Sequence, residues 1–142
     1  MLQPVISVSR NLGEVKTLLA ACGLPTSDLR DDGVFLVARD NGQLCGVAGL
    51  EPLGASALLR SVAVDPKWRR KGVARALCDA LVRQARTQGA QRLYLLTTDA
   101  DRYFSSLGFS KTERNALPAE VRATTQFTET CPQTAIAMSR VL

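Results

Sequence analysis

The segment RRKGVARA, residues 69–76, follows an apolar run at residues 58–64 and opens a long helical pattern. A strand, a basic glycine-containing turn and a helix in this order direct several backbone N–H groups at one point, together with the positive end of the helix dipole. A pyrophosphate would be stabilised there. A second interpretation is also open, in which the segment is a charged helix start with a capping glycine.

The size and composition of the chain favour one domain over residues 1–142. A chain of 142 residues, of which 46% are apolar and 22% charged, is long enough to bury a sizeable core. Its apolar runs are much shorter than the roughly 20 residues that cross a bilayer. The N-terminus also lacks a signal-peptide pattern. We therefore expect a single cytoplasmic domain with no membrane partner.

The absence of histidine narrows the chemistry. It excludes His-containing nucleophile triads and His-based metal sites, and leaves acid and base work to Glu, Asp, Tyr, Cys or water. The cysteines Cys22, Cys45, Cys78 and Cys131 are too widely spaced for a zinc knuckle or a redox motif. We expect most of them to be reduced and buried, with no metal site. An arsenite site made of three soft thiolates is the open alternative.

The net charge of +5 raises the question of nucleic-acid binding, but much of it comes from one short region. With only 5% aromatic residues and this local clustering, an anion site accounts for the charge better than a nucleic-acid surface does. The clustered basic residues are Arg60, Lys67, Arg69, Arg70, Lys71 and Arg75.

The first half of the chain reads as a strand, a helix and an antiparallel meander. Residues 5–9 are strand-like, and residues 12–22 have helical spacing that ends at Gly23. Two β-rich runs then flank Asp40-Asn41-Gly42, which is typical of a hairpin turn, and a third run follows. The predicted strands of the meander are residues 34–38, 44–50 and 57–64.

The second half changes period. An amphipathic helix begins at Gly72 and ends at Gly89, and a near-continuous apolar strand follows at residues 92–97. A buried strand reached through a helical crossover is expected to lie parallel to the strand before it. Three further elements are predicted: a short helix capped by Asp99, a helix within residues 118–128 and a strand at residues 134–138.

Residues 62–81, VAVDPKWRRKGVARALCDAL, resemble the acetyl-CoA-binding motif of the GNAT family of N-acetyltransferases. The family pattern of Arg or Gln, two variable residues, Gly, one variable residue, then Gly or Ala matches Arg69, Gly72 and Ala74. LYLLTT and YFSSLGF, within residues 93–109, resemble the next strand and helix. The resemblance implies an α/β GNAT fold: a mixed, mostly antiparallel central sheet of six to seven strands flanked by helices, with a parallel strand pair splayed to admit acetyl-CoA.

Two branches of the family are similar to this chain. The second segment resembles the acetyltransferase domain of N-acetylglutamate synthases. A more specific resemblance is to small GNAT proteins associated with arsenic resistance, which carry a turn like GLEPLG, here residues 49–54, and a tail like PAEVRATTQF followed by CP, here within residues 118–132.

The resemblance implies acetyl-CoA as co-substrate, with its pyrophosphate on the basic turn and its pantetheine arm paired with the strand backbone. An amide near Val64 would face the thioester oxygen, and one such oxyanion donor contributes on the order of 3 kcal/mol. The implied cofactor-binding residues are Val62, Ala63, Val64, Arg69, Arg70, Lys71, Gly72, Val73, Ala74, Arg75, Thr97 and Phe104.

The general acid departs from the family pattern. Many GNAT proteins have a tyrosine five residues before the Phe of a Gly-Phe pair, and here that position is Phe104, with Tyr103 one residue earlier. Adjacent helical residues point about 100° apart, so Tyr103 replaces that tyrosine only if the helix shifts. Tyr103 is therefore either the acid or a half-buried aromatic. A water held by Thr97, Thr98 or Ser105, or an unaided thiolate, are the alternatives.

Glu51 and two arginines are the candidates on the acceptor side. Glu51 lies at the end of the second meander strand and is a candidate general base; the alternatives are a solvent-exposed turn residue or an ion-pair partner of Arg60. Arg60 and Arg122 are candidates for binding a substrate carboxylate, because a guanidinium suits bidentate recognition. The alternatives are an outward-facing strand residue for Arg60 and a solvent-exposed residue for Arg122.

The sequence thus predicts transfer of acetyl from acetyl-CoA to the primary amine of a small, amino-acid-like acceptor. The alternative function is a non-catalytic acyl-CoA-binding or regulatory module, which the displaced tyrosine leaves open. A homodimer is compatible with the sequence.

Overall fold

The protein forms a seven-stranded sheet flanked by helices, described here from a computed structural model for residues 4–24, 26, 34–124, 127–128 and 134–142. The elements are β1 (Val5–Val8), α1 (Leu12–Ala21), β2 (Val34–Asp40), β3 (Gln43–Leu53), β4 (Ser56–Val64), α2 (Val73–Thr87), β5 (Arg92–Thr97), α3 (Asp101–Ser106), β6 (Ser110–Thr112), α4 (Ala119–Arg122) and β7 (Ile136–Val141). Two 3₁₀ turns lie at Pro66–Trp68 and Arg114–Ala116.

The sheet is mixed. Its strand order is β1-β2-β3-β4-β5-β7-β6, with β4 and β5 parallel and every other neighbouring pair antiparallel. Helix α2 makes the crossover between the two parallel strands, as the change of sequence period predicted. The predicted meander and fold class are confirmed.

The hairpin between β2 and β3 follows from its two turn residues. Asn41 has φ 50° and Gly42 has φ 82°, so both adopt the left-handed conformation. A two-residue turn of this kind matches the right-handed twist of the strands on either side, and Asn-Gly is its preferred sequence.

Helix α2 packs on one face of the sheet through its apolar stripe. Gly46 on β3 makes close contact possible, because a Cβ there would come within 2.9 Å of both Val73 and Leu77. On the opposite face, α1 covers β2 and β3, while Leu117 and Val121 pack on Leu58 of β4 and its neighbours on β5. The core therefore has two layers, one on each side of the sheet.

The parallel pair separates along its length. Its register joins Ser56 with Arg92, Ala57 with Leu93 and Leu58 with Tyr94, although β4 continues to Val64 and β5 to Thr97. The β3–β4 register also shifts after the Gly49–Arg60 pair, which marks a bulge in β4. The predicted splay is thus present, and it opens a gap in the middle of the sheet.

Several sequence predictions differ from the structure. Helix α4 ends at Arg122, and residues 125–126 of the longer predicted helix lie outside the described part. The last strand begins at Ile136 instead of residue 134. Strand β6 was missed because its three residues are too few to show a period. Asp99 does not cap α3: Ala100 is the N-cap, and its N–H donates to Thr97 Oγ1 at 3.0 Å.

In the described part of the chain, no helix combines the length and apolarity that crossing a membrane requires.

Candidate active site

A cavity of about 1040 Å³ lies where β4 and β5 separate. It is lined by the second half of β4, the turn that enters α2, the end of β5 and the first turn of α3. Most of the predicted site residues meet there, although they come from four separate stretches of sequence. Those lining it are Arg60, Val62, Ala63, Val64, Arg69, Arg70, Gly72, Val73, Ala74, Arg75, Thr97, Tyr103 and Phe104.

The turn before α2 has the backbone that an anion site needs. Arg70 has φ 64° and Gly72, the N-cap of α2, has φ 82°. The first amides of α2 have no carbonyl four residues earlier to bond, and they lie at the positive end of the helix dipole. A Cβ on Gly72 would meet no protein atom within 4 Å, so the space above this turn is open.

Arg69 contacts the end of β4. Its Nε donates to the Val64 carbonyl at 3.0 Å, and its Nη2 lies 3.8 Å from Cys22 Sγ. The Cys22 thiol is 3.7 Å from the same carbonyl. Arg69 therefore ties the basic turn to the strand as well as adding charge at the cavity.

The backbone of Val64 points into the gap. The N–H of Asp65 donates to the Cys45 carbonyl on β3 at 2.8 Å. Successive residues of a strand direct their backbone groups to opposite sides, so the N–H of Val64 points away from β3, towards the splay. This orientation agrees with the implied role of Val64 as an oxyanion donor.

Two aromatic residues of α3, Tyr103 and Phe104, form another wall of the cavity. Phe104 is buried and makes an edge-to-face contact with Phe109, with ring centroids 5.9 Å apart. Tyr103 is 42% exposed and lies edge-to-face on Phe104 at 5.7 Å. Burial raises the pKa of the Tyr103 phenol, with Cys78 adding to the shift and Arg75 opposing it. The phenol is thus protonated at neutral pH, as a proton donor must be.

Arg60 and Glu51 form a buried ion pair on the sheet face opposite α2. Arg60 is 8% exposed, and its Nη1 lies 3.9 Å from Glu51 Oε2. Arg60 lines the cavity and Glu51 does not. Glu51 is thus an ion-pair partner of Arg60, and the alternative of a solvent-exposed turn residue is wrong because Glu51 is buried.

Two other predicted residues lie outside the lining. Lys71 is exposed at the tip of the basic turn, between the left-handed residues Arg70 and Gly72. Arg122 is exposed on α4 and does not join Arg60 at the cavity. Their proposed roles in binding stay predictions.

Cys22, Cys45 and Cys78 lie in three different parts of the fold: just after α1, in β3 and in α2. Cys45 and Cys78 are buried, Cys22 is partly buried, and all three are free thiols. Burial raises the pKa of Cys78 to about 12 and also raises that of Cys45. Cys131 lies outside the described residues. Within the part that is described, no cluster of three or more Cys, Asp or Glu could hold a metal ion.

Sequence reasoning missed several lining residues. Cys22 and Leu24 reach the cavity because α1 packs under the end of β4, which no local pattern signals. Ser61 lines it at the bulge, and a bulge in an apolar strand leaves no signature in one sequence. Trp68, the one tryptophan of the chain, also lines it, and its indole N–H lies 3.4 Å from Asp40 Oδ2.

This architecture is that of an acyl-CoA-binding acetyltransferase, and comparison with known proteins agrees. The model of the acetyltransferase (GNAT) family matches residues 10–109. The chain therefore belongs to this family.

Several relatives are similar in sequence. An amino-acid acetyltransferase of Mycobacterium tuberculosis (strain H37Rv) is 31% identical over 102 residues, which are 71% of this chain and 55% of that protein. An amino-acid acetyltransferase of Pectobacterium carotovorum is 32% identical over 98 residues, 68% of this chain and 22% of that protein. The chain thus spans between about a fifth and a half of the length of these relatives.

Solved structures share the fold. N-acetylglutamate synthase from Neisseria gonorrhoeae, complexed with coenzyme A and N-acetyl-glutamate, superposes with a TM-score of 0.79 at 20% identity, covering 99% of this chain and 36% of that one. Rv2747 from M. tuberculosis, in complex with CoA, also gives 0.79 at 23% identity, covering 98% of this chain and 99% of that one.

Proposed function

We propose that this domain transfers an acetyl group from acetyl-CoA to the primary amine of a small acceptor that carries a carboxylate. The observation that carries the proposal is the cavity between β4 and β5, which is lined by the basic turn before α2 and by a buried arginine. Four arginines and one aspartate line it, so the cavity favours anions.

The donor fits along β4. Amides of the turn from Arg70 to Arg75 would hold the pyrophosphate, and Arg70 and Arg75 line the cavity beside them. The pantetheine arm would then lie along the unpaired edge of β4, with the thioester carbonyl facing the Val64 N–H. Arg60 lies further along the same strand and lines the same cavity, on the acceptor side of the thioester.

The reaction has three steps that the protein can assist. The neutral amine attacks the thioester carbonyl carbon, and the carbonyl oxygen becomes an oxyanion. The C–S bond then breaks as the attacking nitrogen loses its extra proton to water and the thiolate leaves and gains a proton. The Val64 N–H would stabilise the oxyanion. Tyr103, protonated at neutral pH, is our candidate for the proton donor to the thiolate.

Arg60 defines the acceptor class. A buried guanidinium at a cavity wall suits a carboxylate, which it can bind with two parallel hydrogen bonds. The N-acetyl-glutamate in the gonococcal structure is an acylated amine of this chemical class. Since Glu51 pairs with Arg60, we assign Glu51 the role of holding this arginine in place. Water is then our candidate for the base that removes the proton from the substrate ammonium.

Matched acceptors test the proposal. Initial rates of thiol release from acetyl-CoA are measured with amino acids and with the corresponding amino-acid amides, which lack the carboxylate. We expect amino acids to have kcat/KM values at least tenfold higher, since losing one charged hydrogen-bond pair costs about 1.5 kcal/mol or more. Equal values for both sets would remove Arg60 from acceptor recognition. Tight acetyl-CoA binding without thiol release would favour the non-catalytic module instead.

Four further expectations belong to this proposal. We place the enzyme in the cytoplasm, as one domain over residues 1–142, and a homodimer stays a prediction for size-exclusion chromatography with light scattering. A role in arsenic resistance rests on the resemblance noted above. Equilibrium dialysis with arsenite, comparing the native protein with Cys131→Ser, tests whether the thiols bind the metalloid.

A further inference from the structure

Ser61 has a backbone conformation that residues other than glycine rarely adopt. It lies at the bulge of β4 with φ 55°, in the left-handed region, and lines the cavity. Glycine would adopt this conformation without a steric cost, whereas serine adopts it only at a steric cost. A strained residue in a cavity wall points to a use for its side chain.

The conformation places the Ser61 hydroxyl beside the side chain of Arg60. In a regular strand, the side chains of residues 60 and 61 would point to opposite faces of the sheet. Here Arg60 Nε donates to Ser61 Oγ at 3.2 Å, in a partly buried hydrogen bond. The bulge therefore does more than open the splay, because it brings an acceptor oxygen to the arginine.

Two residues of β3 also support Arg60. Gly49 is its cross-strand partner, and a Cβ there would lie 3.2 Å from Arg60 Cγ and 3.0 Å from Phe35 Cε1. The stem of Arg60 thus lies directly against the glycine backbone. Glu51 Oε2 is 3.9 Å from Nη1 at the other end of the side chain. The Arg60 side chain is thus contacted at three places: at Nε, along its aliphatic stem and at the terminal nitrogen Nη1.

We propose that Ser61 is a positioning residue that orients Arg60 towards the carboxylate of the acceptor. This inference rests on the proposed function. Two parallel hydrogen bonds to a carboxylate require the plane of the guanidinium to be fixed, and Ser61 fixes it by accepting from Nε. Ser61 is accordingly a determinant of acceptor specificity that does not touch the reacting atoms.

Two substitutions at residue 61 separate the hydroxyl from the backbone. Ser61→Gly keeps the left-handed conformation and removes the hydrogen-bond acceptor. Ser61→Asn supplies a new acceptor oxygen, and Asn tolerates this conformation better than most residues. Asn41→Gly is the matched control, because Asn41 also has a positive φ, 50°, but lies in the β2–β3 turn and not at the cavity.

The readout compares how much a substitution changes KM for the acceptor and how much it changes KM for acetyl-CoA. Ser61→Gly should raise KM for the amino-acid acceptor about tenfold, the lower end of the contribution of a hydrogen bond to a charged group. KM for acetyl-CoA should change less than twofold, and Ser61→Asn should restore most of the acceptor KM. With the amino-acid amide, Ser61→Gly and the native protein should have equal kcat/KM.

Several results would overturn the inference. These are an unchanged acceptor KM in Ser61→Gly, an equal rise of both KM values, or an equal penalty with the amide acceptor. If Ser61→Gly does not fold by thermal unfolding, Ser61→Ala takes its place with the same expected changes in the two KM values. A native protein that acetylates no carboxylate-bearing amine refutes the proposed function and this inference together. Selective native protein with an unaffected Ser61→Gly refutes the inference alone.

Discussion

Gly72 and Gly89 offer a matched pair that separates the stability of α2 from cofactor binding. Gly72 precedes the helix with φ 82°, and Gly89 follows it with φ 87°. At both positions an added Cβ would meet no protein atom within 4 Å. Replacing either glycine by alanine therefore costs the same thing in the free protein, namely a left-handed conformation for a residue with a Cβ.

This cost can be estimated. A left-handed residue with a Cβ is disfavoured by about 1–2 kcal/mol, which for a chain of this size lowers Tm by about 3–8 °C. Gly72→Ala and Gly89→Ala should thus lower Tm by similar amounts. Only the Cβ of Gly72→Ala would stand in the open space above the anion-binding turn, where the pyrophosphate is expected.

Binding of CoA then distinguishes the two variants. Trp68 lines the cavity and is the one tryptophan of the chain, so its fluorescence can report binding. Gly72→Ala should raise Kd for CoA at least tenfold, a loss of about 1.4 kcal/mol or more, while Gly89→Ala should leave it within twofold. Equal Kd values for the two variants, with calorimetry in agreement, would refute the placement of the pyrophosphate on this turn.

Three more predictions concern titratable groups. Tyr103→Phe should lower kcat about a hundredfold and remove the loss of rate as pH rises through the raised pKa of the phenol; an unchanged pH–rate profile makes Tyr103 an aromatic contact only. Glu51→Gln should raise KM for the acceptor equally at all pH values, whereas a loss of kcat concentrated below neutral pH would make Glu51 the base. Burial raises the pKa of the Cys78 thiol from 9.0 to about 12, so folding stability should fall as pH rises from 9 towards 12, by at most about 2 kcal/mol at pH 10.5. Denaturant unfolding of Cys78→Ala should show a shallower alkaline decline, and parallel curves for the two proteins would contradict this linkage.

The donor side of the site could be predicted from the sequence because its signals are local. The turn at residues 69–72 and the helix after it lie within one short stretch, where glycine and the change of period both show. The Asn41-Gly42 turn is local in the same sense. Each of these features is determined by neighbouring residues, so one sequence is enough to show it.

The acceptor side depends on contacts that no local pattern records. The support of Arg60 joins Gly49 and Glu51 of β3 with Ser61 of β4, and only the register of the sheet brings them together. Arg122, which was also a candidate for binding the substrate carboxylate, is exposed on α4, whose buried residue is Val121. Charge alone cannot distinguish a buried arginine from an exposed one.

Acetyl transfer to an amine can be measured directly with the purified protein. The protein is incubated with acetyl-CoA and a panel of amines that includes amino acids, their amides and simple alkylamines, and both free thiol and acetylated amine are quantified. We expect amine-dependent thiol release, one equivalent of N-acetylated product per thiol, and the highest kcat/KM for a carboxylate-bearing amine. Binding of acetyl-CoA with no amine-dependent thiol release across the panel would contradict this expectation.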